Sequence, residues 1–382
     1  MLPLEGITVV SLEQAVAAPF ASRQLADLGA RVIKVERPEV GDFARNYDTT
    51  VNGMSSHFVW TNRSKQSIEL DLKSSLGKEA LSRLIEKADV FIENLAPGAI
   101  ERMGFAPDEL LKKHPKLIVC SISGYGRGGS YEQKKAYDLL VQCEAGLVSI
   151  TGSEDTPSKA GISIADIAAG MYAYSGILTA LLNREKTGKG TVIEVSMLEA
   201  LGEWMGYPAY YAAYGGEEPK RTGASHSTIY PYGPFECGDG KTVFIGLQNE
   251  REWERFCESV LKAESLTNDP RFKTNSDRSD NRETLKTLIE ASFEHLTSDQ
   301  VIERLEEAKI ANARLNTMKD FFHHPQLKER NRWTKVQTPN GEIAALKPPA
   351  TIKGVEAVMN PIPALGEHTE EILEEIGLKQ EE

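Results

Sequence analysis

One acid stands apart from its surroundings. In the run Gly161-Ile162-Ser163-Ile164-Ala165-Asp166-Ile167-Ala168-Ala169-Gly170-Met171-Tyr172-Ala173-Tyr174-Ser175-Gly176, which continues to Leu181, Asp166 is the only formal charge between Lys159 and Arg184. Two readings of it stand side by side. Ser163-x-x-Asp166 has the spacing of a capping box, and free N–H groups favour an acid in a first helical turn. A carboxylate in an apolar pocket is instead poorly solvated, which suits a nucleophile or a base. Under both, the Gly- and Ala-rich run is a helix whose backbone can lie close against its neighbours.

Arg37, Lys73, Arg102 and Lys135 fall at successive loop ends. Singly each reads as a solvated surface charge. Together they could hold a polyanionic nucleotide such as coenzyme A. Gly124-Tyr125-Gly126-Arg127-Gly128-Gly129 follows a strand-like run, where backbone N–H groups can cradle phosphate. It matches neither GxxxxGK(S/T) nor a GxGxxG opening a helix, so a surface turn is the default. The loop Leu12 to Pro19 holds no glycine, which excludes a nicotinamide-dinucleotide fingerprint and hence a dehydrogenase. His57, His226 and His323-His324 share no metal-ligand spacing, so no metal is assigned. No GxSxG elbow is present, which disfavours a serine hydrolase.

The elements that must position these residues alternate. Ile7–Leu12, Arg31–Glu36, Ala88–Ile92 and Leu117–Ile122 read as buried strands, with helical stretches opening at Ala18-Pro19, closing at Gly29, and running from Leu76 to Lys87. This rhythm predicts an α/β fold with a Rossmann-like, doubly wound parallel sheet. Ligands gather at the carboxyl ends of such strands, here loops 13–18, 37–47, 93–98 and 123–135. A long helix and a strand, Val192–Val195, fill 160–200. Tyr, Gly and Pro then concentrate around 205–235, as in a linker. A smaller α+β unit follows, with capping boxes expected at Thr297-x-x-Gln300 and Asp280-x-x-Glu283. Beyond 326 the chain turns Pro-rich and strand-like before a last helix from Thr369 to Gly377.

Composition sets the outer bounds. The 382 residues carry 44 Lys+Arg against 56 Asp+Glu, a net charge of −12. An acidic surface argues against nucleic acid as a partner, and any anionic ligand needs a local basic pocket. No run approaching ~18 apolar residues and no signal-like N-terminus are seen, so no membrane span is expected. Cys120, Cys143, Cys237 and Cys257 show no CxxC spacing, which fits a reducing cytoplasm or organelle matrix.

Further stretches carry a likeness. They are Pro3-Leu4-Glu5-Gly6-Ile7, Leu28 to Arg37, Ser67-Ile68-Glu69-Leu70-Asp71-Leu72-Lys73, Glu93-Asn94 through Pro97-Gly98, Arg102-Met103-Gly104, the Asp166 helix and Leu365-Gly366-Glu367-His368-Thr369. With these the sequence strongly resembles the class III CoA-transferases, the formyl-CoA-transferase-like or CaiB/BaiF family. The resemblance implies an interlocked homodimer. A large domain would take residues 1–200 and the return segment 326–382, with a linker at 201–225 and a small α+β domain at 226–325. It implies that Asp166 attacks an acyl-CoA donor, that CoA thiolate returns to give an aspartyl thioester, and that an acceptor acid collects CoA. It implies CoA contacts from Arg37, Lys73, Asn94, Arg102 and Lys135, with backbone near Val16, Leu70 and Met197, and no permanently bound cofactor. His57, Tyr137 and Asp138 match positions near the small acid. Val16 stands where the formyl-CoA member has glutamine, and His226-Ser227-Thr228-Ile229-Tyr230-Pro231-Tyr232-Gly233 replaces that member's mobile glycine-rich loop, which argues against oxalate. With Arg45, Tyr47, His57 and His226 near a polar pocket, the expected exchange runs from succinyl-CoA to a C4–C5 dicarboxylate such as citramalate, itaconate or mesaconate. Two rivals are an α-methylacyl-CoA racemase and a non-catalytic acyl-CoA-binding protein. Against the racemase, Ala136-Tyr137 precede Asp138 where racemase-like relatives carry histidine, and a tyrosine is a poor base at neutral pH.

Overall fold

Six short strands run parallel in one sheet: β1 (Thr8–Leu12), β2 (Arg31–Glu36), β3 (Lys65–Glu69), β4 (Val90–Glu93), β5 (Ile118–Ser123) and β6 (Thr191–Ser196). Their order is β3-β2-β1-β4-β5-β6, so the winding reverses between β1 and β4. Side chains alternate across the sheet. Val9, Ile92, Ile118, Cys120 and Ile122 face one core with the helices Ala17–Asp27, Ile164–Thr187 and Met197–Trp204. Val10, Ile33, Val35, Phe91 and Val119 face another with Ser75–Lys87 and Thr369–Glu375. The doubly wound α/β fold is thus present. β3 escaped the hydropathy pattern because Lys65, Gln66 and Ser67 look polar, although Lys65 and Ser67 are buried.

The computed structural model describes residues 2–378 and divides into two units. Met1–Leu147, Ala160–Tyr207 and Gln326–Glu382 form the sheet unit. Within it, the antiparallel hairpin β7 (Trp333–Thr338) and β8 (Gly341–Leu346) packs Val336 with Ala44, Phe58 and Ile362. Val148–Lys159 and Pro208–Pro325 form the other unit, in which three antiparallel strands accompany a core of Trp253, Phe256, Phe272, Leu285 and Phe293. There the Thr297–Gln300 capping box forms as expected. Asp280 instead ends the helix Asn275–Asp280, whose box is Thr274–Asp277, and Asn281 caps the next helix without a side-chain bond. Part of the expected linker is helical, since Met197–Trp204 and Gly206–Gly215 occupy its first half.

The Ile164–Thr187 helix corrects the reading of apolar runs. It is long and apolar enough to cross a membrane by length and composition. Its hydropathy averages through Gly, Tyr, Ser and Thr, so counting uninterrupted apolar residues overlooks it. Its face of Ala165, Ala168, Ala169, Ala173 and Ile177 packs in the core of the sheet unit. Gly170 allows the close approach, because a Cβ there would stand 2.7 Å from the Ala17 carbonyl oxygen. Gly170→Ala should therefore reverse the usual alanine gain in a helix and destabilise by ~1–3 kcal/mol, the overpacking range. An unchanged or raised urea midpoint would contradict that packing.

Candidate active site

Every strand of the parallel sheet delivers expected ligand-binding positions at its carboxyl end. Val16 follows β1, Arg37 follows β2, Leu70 and Lys73 follow β3, Asn94 and Arg102 follow β4, Lys135 follows β5, and Met197 follows β6. The topology thus gathers the set along one edge of the sheet unit. Val16, Leu70 and Met197 have buried side chains and offer only backbone. The four cations meet no acid among the described residues. Arg37 donates to the Gly41 carbonyl at 3.2 Å and lies 4.4 Å over the Phe43 ring, and Arg102 donates to the Pro97 carbonyl at 3.3 Å. Arg127 of the glycine-rich turn differs: Glu101 at 3.1 Å and Glu194 at 3.4 Å neutralise it.

The loops are held from beneath by buried charge. Lys34 of β2 reaches Asp42 at 2.7 Å and Glu13 at 3.2 Å, and Lys65 of β3 reaches Glu13 at 2.6 Å. Ser11 and Ser22 also donate to Glu13, each at 2.6 Å. Burial alone would raise the Glu13 pKa, but Lys34 and Lys65 hold it at about 2. Asp42 accepts the N–H of Ala15 at 2.9 Å, a residue whose φ of 62° needs such support. Asn94 spans the β1–β4 reversal, accepting the Gln14 N–H at 2.8 Å and donating to the Gln14 carbonyl at 2.9 Å. Arg45 is gripped by Glu36 at 2.9 and 2.8 Å and lies 3.8 Å over Phe58, so its guanidinium serves the scaffold and not an open pocket. Sequence reading missed Glu13, Lys34, Glu36, Asp42 and Lys65. The available signal was ionisable residues within covered strands for Lys34, Glu36 and Lys65; Glu13 and Asp42 lie in loops and gave none.

Asp166 occupies the first turn of its helix, and Ser163 makes no side-chain cap bond, so the capping box does not form. Among the described residues its carboxylate has no hydrogen-bond or ion-pair partner. Burial, with the nearby Asp138 charge, pushes its pKa up to about 7. Tyr47 is near enough for Asp166 and Tyr137 to help burial raise its phenol pKa. His57 meets Tyr47 edge-on at 5.4 Å, with its Nδ1 3.6 Å from Asp48. Tyr137, 72% exposed, precedes the helix Asp138–Glu144. The sheet unit therefore brings Asp166, Asp138, Tyr137, Tyr47 and His57 together. His226 belongs to the other unit, where it accepts the N–H groups of Thr228 and Ile229 and stacks on Tyr232 at 5.2 Å. A partly ionised, unpartnered carboxylate in the same unit as acid-free cations suits covalent exchange on an anionic thioester.

Comparison with known proteins agrees with this chemistry. Residues 4–369 match the family described as CoA-transferase family III. A mouse protein named succinyl-CoA:glutarate CoA-transferase is 35% identical, with 98% of this chain and 87% of that protein covered. A Haloarcula hispanica protein named succinyl-CoA:mesaconate CoA-transferase is 32% identical, covering 98% and 96%. The crystal structure of a CaiB/BaiF family protein from Brucella suis superposes with a TM-score of 0.87 at 33% identity, covering 98% of this chain and 99% of that one.

Lys34→Met should leave Glu13 and Asp42 buried without their shared cation and destabilise by ~3–5 kcal/mol, read from denaturant midpoints. Removing the exposed Lys112–Glu109 pair should leave the denaturant midpoint nearly unchanged. Equal small effects would refute the network's role. For Asp166 the folded pKa of about 7 lies above the ordinary 3.8, so its ionisation costs stability as pH rises through that window. Asp166→Asn should consequently raise Tm at pH 8 and not at pH 4, and a pH-independent difference would contradict the burial of an unpaired charge.

Proposed function

The chain belongs to CoA-transferase family III, and on that premise we propose that it moves CoA from succinyl-CoA to a five-carbon dicarboxylate through covalent intermediates on Asp166. The observation that carries the proposal is the half-buried Asp166 carboxylate, unpartnered among the described residues and with its pKa pushed up to about 7, in the unit that presents four acid-free cations. An Asp166 oxygen attacks the thioester carbon, the C–S bond breaks, and CoA leaves as thiolate, giving a mixed anhydride. The thiolate then attacks the aspartyl carbonyl, freeing succinate and leaving an aspartyl thioester. The acceptor carboxylate attacks that carbonyl and expels the thiolate again. Finally the thiolate takes the acceptor's acyl carbon and restores the Asp166 carboxylate. Anhydride and thioester are close in energy, so each step is easier than a direct exchange and no ATP is consumed.

Arg37, Lys73, Arg102 and Lys135 are assigned to the phosphates of CoA, with Asn94 holding the Gln14 loop beside them. Tyr47, His57 and Tyr137 are assigned to the acceptor. Glutarate and mesaconate, named for the mouse and Haloarcula relatives, are both five-carbon diacids, which favours that class and puts glutarate first. The subunits are assigned to an interlocked homodimer that dilution does not part into folded monomers; active monomer in analytical ultracentrifugation would refute this. The four free thiols fit a reducing compartment, the cytoplasm or an organelle matrix.

An exchange screen decides the substrate. Succinyl-CoA incubated with glutarate, mesaconate, itaconate, citramalate, oxalate and carnitine, read by mass spectrometry of CoA products, should give glutaryl-CoA fastest and oxalyl-CoA least. Asp166→Asn should cut every exchange by ~1000-fold or more with the fold retained. Oxalate as the best acceptor would overturn the substrate assignment. Proton exchange at the α-carbon of a 2-methylacyl-CoA would favour the racemase.

A further inference from the structure

The helix that carries Asp166 lacks a cap of its own, and a second helix supplies one. Asp138 Oδ1 accepts the N–H of Ala165, the residue before Asp166, at 2.8 Å. Asp138 Oδ2 accepts from Gln142 Nε2 at 2.6 Å, and the Oε1 of this buried glutamine accepts the N–H of Ala160 at 2.9 Å. One acid and one amide thus hold both ends of the segment 160–165 that leads into the nucleophile. Each carboxylate oxygen of Asp138 thus already holds a protein donor that belongs to, or leads to, the segment before Asp166. We propose that Asp138 is a positioning residue for Asp166, fixing its helical turn through the Ala165 N–H and holding its charge in check, and does not bind the acceptor acid as the sequence suggested. This rests on the assignment of Asp166 as nucleophile and adds the group that sets its geometry and protonation.

The elements around the Asp166 helix carry further titratable groups. Arg23 and Asp27 on the Ala17–Asp27 helix pair with each other at 2.9 Å. Glu144 pairs with Lys134, and Glu194 of β6 with Arg127. Cys120 of β5 is a buried neutral thiol, and Glu199 and Glu203 lie on the Met197–Trp204 helix. Burial pushes the Tyr47 phenol pKa up, so it stays neutral at working pH. Asp138 is the charge that bears on Asp166.

Two substitutions separate the roles, with Asp166→Asn as the control for the underlying mechanism. Asp138→Ala removes both the cap and the charge; kcat should fall by ~10–100-fold, with KM for succinyl-CoA and glutarate nearly unchanged. Asp138→Asn keeps an acceptor for the Ala165 N–H and should recover most of that kcat. Its acid limb of kcat/KM, set by Asp166, should move down by about one pH unit as the like charge disappears. If Asp138→Ala does not fold, the limb in Asp138→Asn decides alone. An unmoved limb, or a loss confined to the KM for glutarate, overturns the proposal while an inactive Asp166→Asn leaves the aspartyl mechanism standing. Normal turnover by Asp166→Asn would instead remove the mechanism, and this proposal with it.

Discussion

The sheet unit depends on charge buried beneath the carboxyl ends of its strands. Lys34, Lys65, Glu13 and Asp42 lie inside the protein, where an unpaired ion is very costly and a paired one is tolerated only with full hydrogen bonding. Here Glu13 receives Lys34, Lys65, Ser11 and Ser22, while Asp42 receives Lys34 and the N–H groups of Ala15 and Ala44. The first loop of a doubly wound sheet is normally shaped by glycines. This loop has none, and Asp42 and Asn94 hold it in place through side-chain bonds to its backbone. The network couples three strands to one loop, so side-chain bonds already hold the edge that carries the proposed CoA positions.

Against that background Asp166 is the exception. Glu13, Asp27, Glu36 and Asp42 each have a cation, and Glu93, which has none among the described residues, accepts the Leu95 N–H at 3.0 Å; Asp166 has neither among those residues, and the Asp138 charge bears on it unfavourably. A half-buried carboxylate without a hydrogen-bond or ion-pair partner among the described residues costs stability when it ionises, a pattern characteristic of functional sites. The same small-residue helix makes this possible: Gly170 and the alanines seat it against the core, and Asp138 fixes its first turn from outside.

Much of this was legible in the residues. Runs such as Val9-Val10 and Ile118-Val119 announce strands covered on both faces, and Asp166 is conspicuous by its isolation. Loop ends alone placed Arg37, Lys73, Arg102 and Lys135 on one edge. What stayed hidden depends on contacts distant in sequence. β3 reads as polar because Lys65 is paid for by Glu13, 52 positions away. Ser163-x-x-Asp166 has the right spacing for a box, but Asp138, 27 positions from Ala165, takes the capping bond. Arg45 looks free until Glu36 is seen to hold it. Local pattern reports element type and exposure; it does not report which buried partner settles a charge.

The central claim is that Asp166 becomes covalently bonded during turnover, and direct trapping tests it. The enzyme is mixed with succinyl-CoA and quenched with hydroxylamine or borohydride, and its peptides are then mapped by mass spectrometry. A hydroxamate or a reduced side chain should form at Asp166, and only in the presence of the donor. Modification at another residue, or none while CoA exchange proceeds, would contradict it.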